Sequence, residues 1–225
     1  MNNSYINDSV LTLENEENKL IEKKSTYKYT KRILDIVISI IGFVLLLPIF
    51  GIISLCIKID SKGPVLFKHK RIGKNGKELY IYKFRTMVEN AEDMIKNFSP
   101  EQMKEFKENY KLKNDSRITS VGKFLRKTSL DELPQLLNII KGELSIVGPR
   151  PVIEEELEKY GENKKKFVSV TPGLTGYWAA NGRSCTSYEQ RMKLELYYVD
   201  NVSFKLDTKI ILKTALIVLK RQGAI

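Results

Sequence analysis

Ile33-Leu34-Asp35-Ile36-Val37-Ile38-Ser39-Ile40-Ile41-Gly42-Phe43-Val44-Leu45-Leu46-Leu47-Pro48-Ile49-Phe50-Gly51-Ile52-Ile53-Ser54-Leu55-Cys56-Ile57 is an apolar run with a proline in its interior. As a straight helix, roughly 25 residues would reach about 38 Å, more than the roughly 30 Å hydrocarbon core of a bilayer requires. The run is therefore expected to sit in a membrane. Pro48 removes one backbone donor and clashes with the carbonyl four residues earlier, at about 3 kcal/mol in a helix interior. With Gly42 and Gly51 on either side, a kink near mid-depth is expected. Lys28, Lys31 and Arg32 precede the run, and Lys58, Lys62, Lys68, Lys70 and Arg71 follow it. Short flanks rich in Lys and Arg stay cytoplasmic, so both ends are expected on that side. A re-entrant helix bent at Pro48 satisfies this, provided other protein covers the freed backbone groups. A single kinked span is the alternative.

Outward from this run, 225 residues with 42% hydrophobic content leave room for one soluble domain beside the anchor. We expect a flexible tail over residues 1–27, a membrane helix over 28–60 and a cytoplasmic or interfacial domain over 61–225. The run starts some thirty residues in and lacks a small-residue cleavage site, so it should persist as an anchor. Cys56 and Cys185 form neither a metal-ligand spacing nor a disulfide framework, which suits a reducing cytoplasm. Of the formal +11 charge, a dense block lies at Lys62, Lys68, Lys70, Arg71, Lys74, Lys77, Lys83 and Arg85, against Glu78 alone. Anionic headgroups or phosphorylated substrates would be drawn there, although a solvated basic face is the plainer account of most of these lysines.

The fold class expected is α+β and mainly helical. Val65-Leu66-Phe67 and Leu79-Tyr80-Ile81-Tyr82 flank Lys74-Asn75-Gly76-Lys77, the signature of a short β-hairpin with a tight turn. Ser99-Pro100-Glu101-Gln102 and Ser187-Tyr188-Glu189-Gln190 each read as a capping box opening a helix. Gly142 and Gly161 stand where helices of about ten residues would end, and 171–176 is a turn-rich loop. From Asp207 to Gln222 an apolar arc faces a stripe of Lys209, Lys213 and Lys220, which suits an amphipathic helix in the interface or one packed on the core. Tyr177 and Trp178 fit either setting.

Ser129-Leu130-Asp131-Glu132-Leu133-Pro134-Gln135 carries the most chemistry. Ser129 and Glu132 have the spacing of a capping box, and acidic residues favour the first turn of any helix. The company is cationic, however: Arg126 and Lys127 lie upstream, and Arg150 lies in the proline-flanked turn Gly148-Pro149-Arg150-Pro151. An ionised aspartate can attack phosphorus without a partner base, while arginines and a divalent cation offset the charge of the transferring group. Spacing alone leaves capping and phosphate chemistry both open.

Lys31-Arg32-Ile33-Leu34-Asp35, Gly63-Pro64-Val65-Leu66-Phe67, Tyr82-Lys83-Phe84-Arg85-Thr86-Met87, Leu125 to Gln135, Val147-Gly148-Pro149-Arg150-Pro151 and Thr171-Pro172-Gly173-Leu174-Thr175-Gly176 occur in a set order. In that order and over residues 28–224 the chain resembles the bacterial sugar transferases, in particular their small monotopic phosphoglycosyl transferases. The resemblance implies transfer of a sugar phosphate from a UDP-sugar to a polyprenyl (undecaprenyl) phosphate, with release of UMP, as the first step of surface glycan assembly. It implies Asp131 as the nucleophile of a covalent phosphosugar intermediate, Glu132 assisting, and Mg²⁺ at the Asp131-Glu132 pair. Arg126 and Arg150 match phosphate-binding positions. Arg85, Arg183 and Asp207 also match motif positions, although lipid phosphates could occupy the arginines and Asp207 could cap a helix. The same resemblance implies a re-entrant helix, amphipathic helices in the membrane plane and a small domain on the cytoplasmic face of the bacterial inner membrane. Membrane lipids are then partners, and a homodimer is a candidate assembly.

The chain departs from the family pattern at three places. Leu47 stands where serine often precedes the bent proline; Trp178-Ala179-Ala180-Asn181-Gly182-Arg183 lacks the glutamine of many members; and His69 replaces a common glutamine. The second change bears on the sugar, so its identity does not carry over. As a lone histidine, His69 is expected to be a surface or hairpin residue rather than an acid-base group. A different class, a noncatalytic basic membrane adaptor or a nucleic-acid-binding membrane protein, is permitted by the charge. No helix-turn-helix, zinc module or aromatic RNA-binding motif supports nucleic acid.

Overall fold

The apolar run folds as part of one helix, α1 (Asn3–Asp60), which continues through Pro48. The computed structural model describes residues 3–109, 112, 114–182 and 186–220. α1 starts inside the segment expected to be a tail. From Ser25 to Asp60 it is long and apolar enough to cross a membrane, and only 11% of its most apolar stretch is buried by the rest of the protein. Val44, Leu45, Ile52 and Leu55 are all more than half exposed, a surface that water would penalise and lipid would not.

The polar residues of α1 tie it to the domain that follows. Arg32 donates to the carbonyls of Ile139 (2.5 Å) and Ile140 (2.8 Å), and Asp35 accepts the Ile146 N–H at 3.0 Å. At the other end, Asp60 accepts the Val121 N–H at 3.0 Å. Between these ties, Phe50, Ile53 and Ile57 pack with Phe84 and Leu125 in one apolar cluster. Charge-assisted hydrogen bonds satisfy backbone groups at helix ends that would otherwise lack partners.

The expected hairpin forms from β1 (Leu66–Ile72) and β2 (Glu78–Phe84), antiparallel with Leu66 opposite Phe84 and Ile72 opposite Glu78. Its connection, expected to be tight, runs over the five residues 73–77. A 3₁₀ turn over Lys74–Gly76 bridges the strands, with Asn75 at φ 56° and the Gly73 N–H on the Lys77 carbonyl at 2.7 Å. Asn tolerates that left-handed backbone, which accounts for its place there. Leu79 and Ile81 face inward against Ile139 and Leu144.

Capping boxes open α2 (Pro100–Asn109) and α8 (Tyr188–Asp200) as expected, with Ser99 paired to Gln102 and Ser187 to Gln190. The Ser129 box does not form. Ser129 instead ends α3 (Ser120–Thr128) in a left-handed conformation, φ 57°, and its side chain makes no cap bond. Leu130–Gln135 follows as a 3₁₀ turn containing Pro134, leaving α4 (Leu136–Lys141) shorter than expected before Gly142 ends it. After β3 (Ser145–Val147), α5 (Glu154–Glu158) stops three residues before Gly161, and α6 (Lys164–Phe167) follows. The supposed loop at 171–176 contains β4 (Gly173–Thr175), parallel to β3. A Cβ on Gly173 would lie 2.1 Å from the Gly148 nitrogen, so glycine there permits the close crossing of the two segments.

α7 (Tyr177–Asn181) and α9 (Phe204–Leu219) complete the domain. Of its two expected settings, packing on the core is seen on one face of α9. Ile210 is buried in the core with Val147 and Tyr198, whereas Leu212 and Leu216 remain more than half exposed.

Candidate active site

The 3₁₀ turn after α3 carries Asp131 and Glu132 to the end of β2. Alternation along β2 places Lys83 on the inward face shared by Leu79 and Ile81, and Lys83 Nζ reaches Glu132 Oε1 at 2.6 Å. Arg150 Nη1 lies 4.0 Å from the same oxygen. Arg126 comes from the last turn of α3 and is oriented by a 2.9 Å bond from its Nε to Thr86 Oγ1. Asp131 is 92% buried, being 8% exposed, and interacts electrostatically with Lys83, Glu132 and Arg126. Burial raises its pKa above the usual carboxylate value; Lys83 opposes that shift, Glu132 adds to it and Arg126 opposes it. Burial also lowers the Arg126 pKa, against the attraction of Asp131.

Four of the seven predicted site residues thus meet: Asp131, Glu132, Arg126 and Arg150. Arg85 is placed elsewhere, with its guanidinium on the carbonyls of Ile57, Ser61 (2.8 Å) and Lys62 at the end of α1. Asp207 lies beyond the cluster too. It accepts hydrogen bonds from Tyr27, Lys31 and Tyr198, each at 2.8 Å, and so fastens α1 to α8 and α9. Arg183, like Cys185, lies outside the described residues.

Several participants were not singled out from the sequence. Lys83 carried a signal, a charge on the buried face of an alternating strand. His69 sits in β1 as expected, and burial together with Arg71, Lys83 and Arg150 drives its pKa down to about 3, leaving the imidazole neutral. Its Nδ1 lies 3.3 Å from Arg71 Nη2. Behind Arg150, Glu195 Oε1 accepts the Arg150 N–H at 3.2 Å, and burial pushes the Glu195 pKa up to about 7. The Trp178 ring takes Arg150 at 5.9 Å and Arg191 at 4.8 Å, while Arg191 and Arg71 share Glu156. These contacts join four distant segments, 69–71, 150–156, 178 and 191–195, and have no local sequence pattern.

The cluster is a buried carboxylate beside a second carboxylate, ringed by cations, an arrangement that suits charged phosphate chemistry. The family model described as "Bacterial sugar transferase" matches residues 26–221. The chain belongs to the bacterial sugar transferase family. It is 40% identical over 225 residues to an undecaprenyl-phosphate galactose phosphotransferase of Salmonella typhimurium, covering 98% of this chain and 46% of that protein. An exopolysaccharide production protein ExoY of Sinorhizobium fredii is 44% identical over 188 residues, covering 82% of this chain and 83% of that one. A UDP-glucose:undecaprenyl-phosphate glucose-1-phosphate transferase of Klebsiella pneumoniae is 38% identical over 194 residues, 82% of this chain and 39% of that protein. The chain thus spans less than half the length of the Salmonella and Klebsiella relatives. The bacterial sugar transferase match runs from the apolar part of α1 through α9 and includes every residue of the cluster.

Proposed function

We propose that this protein transfers a sugar 1-phosphate from a UDP-sugar to a polyprenyl phosphate, releasing UMP, at the cytoplasmic face of a bacterial inner membrane. The observation that carries the proposal is the buried Asp131 carboxylate beside Lys83, Arg126 and the Glu132 carboxylate. The names of the relatives support the donor and acceptor classes, and ExoY supports a role in surface polysaccharide assembly.

An Asp131 oxygen attacks the sugar-bearing phosphorus, and the bond from that phosphorus to the UMP oxygen breaks. UMP leaves with the electron pair, and an aspartyl phosphosugar remains. An oxygen of the polyprenyl phosphate then attacks the same phosphorus and displaces the carboxylate, which restores Asp131. Desolvation makes Asp131 a stronger nucleophile than a hydrated carboxylate, while Lys83 and Arg126 favour its ionised form. Arg150, held by Glu195 and Trp178, is positioned to offset charge on the diphosphate.

The carboxylates fit Mg²⁺, which takes one or two protein carboxylates and completes its shell with phosphate oxygens and water. Among the described residues no larger group of His, Cys, Asp and Glu suited to a metal exists. Asp131 and Glu132 would hold the ion, which supplies charge neutralisation for the diphosphate.

We further infer that α1 is re-entrant, bent in the bilayer at Pro48. Arg32 and Asp35 at the start of the apolar run, and Asp60 just after it, are hydrogen-bonded to the same domain. A helix crossing the bilayer would carry its ends to opposite faces.

The test combines purified protein, Mg²⁺, a polyprenyl phosphate and a panel of UDP-sugars, with free UMP as the readout. The Asp131→Asn variant is expected to release no UMP and to give no phosphosugar adduct by intact mass, while retaining the wild-type circular dichroism spectrum. Wild-type rates in that variant remove Asp131 as nucleophile.

A further inference from the structure

Arg150 connects the carboxylate pair to a small pocket. Its Nη1 lies 4.0 Å from Glu132 Oε1, and its guanidinium lies 5.9 Å from the centre of the Trp178 ring. Arg150 and Trp178, with Gly173, Gly176, Ala179 and Glu195, line a pocket of about 20 Å³, room for one water-sized group. Glu195 supplies the carboxylate of its wall. That residue is 1% exposed; its Oε1 accepts the Arg150 N–H at 3.2 Å, and its enclosed Oε2 has no hydrogen-bond partner among the described residues. Buried carboxylate oxygens are paired as a rule, so a free one in a pocket wall marks a place for a ligand atom. Bare backbone keeps the approach open. A Cβ on Gly173 or Gly176 would collide with the backbone of Gly148, and the Cβ position of Gly176 is 3.8 Å from Oε2. Ala179 adds only a methyl group to the lining.

We propose that this pocket is a specificity subsite for the sugar of the UDP-sugar donor and takes one sugar hydroxyl, which pairs with Glu195 Oε2; the assignment rests on the function proposed above. The sugar is joined directly to the phosphorus that Asp131 attacks. Because Arg150 reaches from Glu132 to the pocket wall, a diphosphate oxygen on its guanidinium brings that sugar alongside Trp178. A methyl group in the pocket would leave Oε2 unpaired, and a phosphate would be too large for it and repelled by the carboxylate. A hydroxyl both donates and accepts, so it pairs with Glu195 in either protonation state. The ribose hydroxyls share this chemistry but lie one phosphate further from the attacked phosphorus.

The test measures Kd on the full Asp131→Asn chain in nanodiscs, where turnover does not interfere. The ligands are the UDP-sugar of the panel above that binds most tightly, its monodeoxy analogues and UDP. One monodeoxy analogue should bind about tenfold or more weakly than its parent, because it leaves Oε2 unpaired. Adding Ala179→Leu, which fills the pocket, should weaken the parent by about the same factor and remove the difference, with the Kd of UDP unchanged. Equal binding of the parent and every analogue overturns the subsite and leaves Glu195 with a structural water only. A deoxy difference that persists in Ala179→Leu overturns it too, as does a parallel weakening of UDP at unchanged Tm, which would put the nucleoside there. The expected pattern together with no UMP release by the wild-type chain defeats the reaction and upholds the pocket.

Discussion

At Asp131, burial acts against the nearby cations Lys83 and Arg126, and burial, with Glu132 on its side, prevails. As the proposed nucleophile the carboxylate must be ionised, so activity should fall as pH drops through its raised pKa. Lys83 is the largest influence opposing that shift. Replacing it by methionine withdraws a positive charge and releases Glu132 from its 2.6 Å partner, and both changes favour the protonated acid. The acid limb of the kcat profile for UMP release in Lys83→Met should therefore move to higher pH, with the maximum lowered by 10-fold or more, on the order of one charged contact. A limb that stays put or moves to lower pH contradicts this electrostatic account. Asp131, Glu132, Arg126 and Arg150 were legible because carboxylates and arginines cluster in short motifs. Lys83 was hidden among other basic residues until alternation along β2 placed it inward. Arg85 was misleading in the opposite way: it lies in the same motif, but its guanidinium spans the end of a helix.

Among the elements, α3 determines how the turn bearing Asp131 and Glu132 is presented. Its contact with the segment just after β2 depends on Gly122, where a Cβ would fall 2.1 Å from the Thr86 carbonyl oxygen and so meet backbone rather than a yielding side chain. In an exposed helix, Gly→Ala is worth up to about 1 kcal/mol in favour of alanine. Here we expect Gly122→Ala to destabilise the protein by about 1–3 kcal/mol through overpacking, read as a lower Tm, with reduced UMP release because Arg126 leaves Thr86. Capping boxes at Ser99 and Ser187 were legible because both members are local. Ser129 has the same spacing and fails, because the chain turns left-handed there and Pro134 interrupts the following helix. β3 and β4 are three residues each, too short for alternation to register, and their pairing depends on glycines that permit close approach.

For the molecule as a whole, the apolar length of α1 and its basic flanks were plain from composition, as was the mainly helical α+β character. The internal ties were not, since each joins residues more than 60 positions apart. They support one orientation: both ends of the apolar segment on the side of the catalytic domain. Single cysteines at Lys28 and Lys62, in chains with Cys56 and Cys185 replaced by serine, should both react with a membrane-impermeant maleimide in inverted vesicles. Neither should react in intact spheroplasts. Reaction of one site from each side would establish a simple crossing.

The grip of Arg85 on the last turn of α1 joins immersion to chemistry. Only one residue, Phe84, separates that clasp from Lys83, and Phe84 itself packs with Phe50, Ile53 and Ile57 of α1. A displacement of α1 would therefore be carried through Arg85 and Phe84 to the ammonium group of Lys83, which makes the long helix part of the scaffold behind the carboxylate pair.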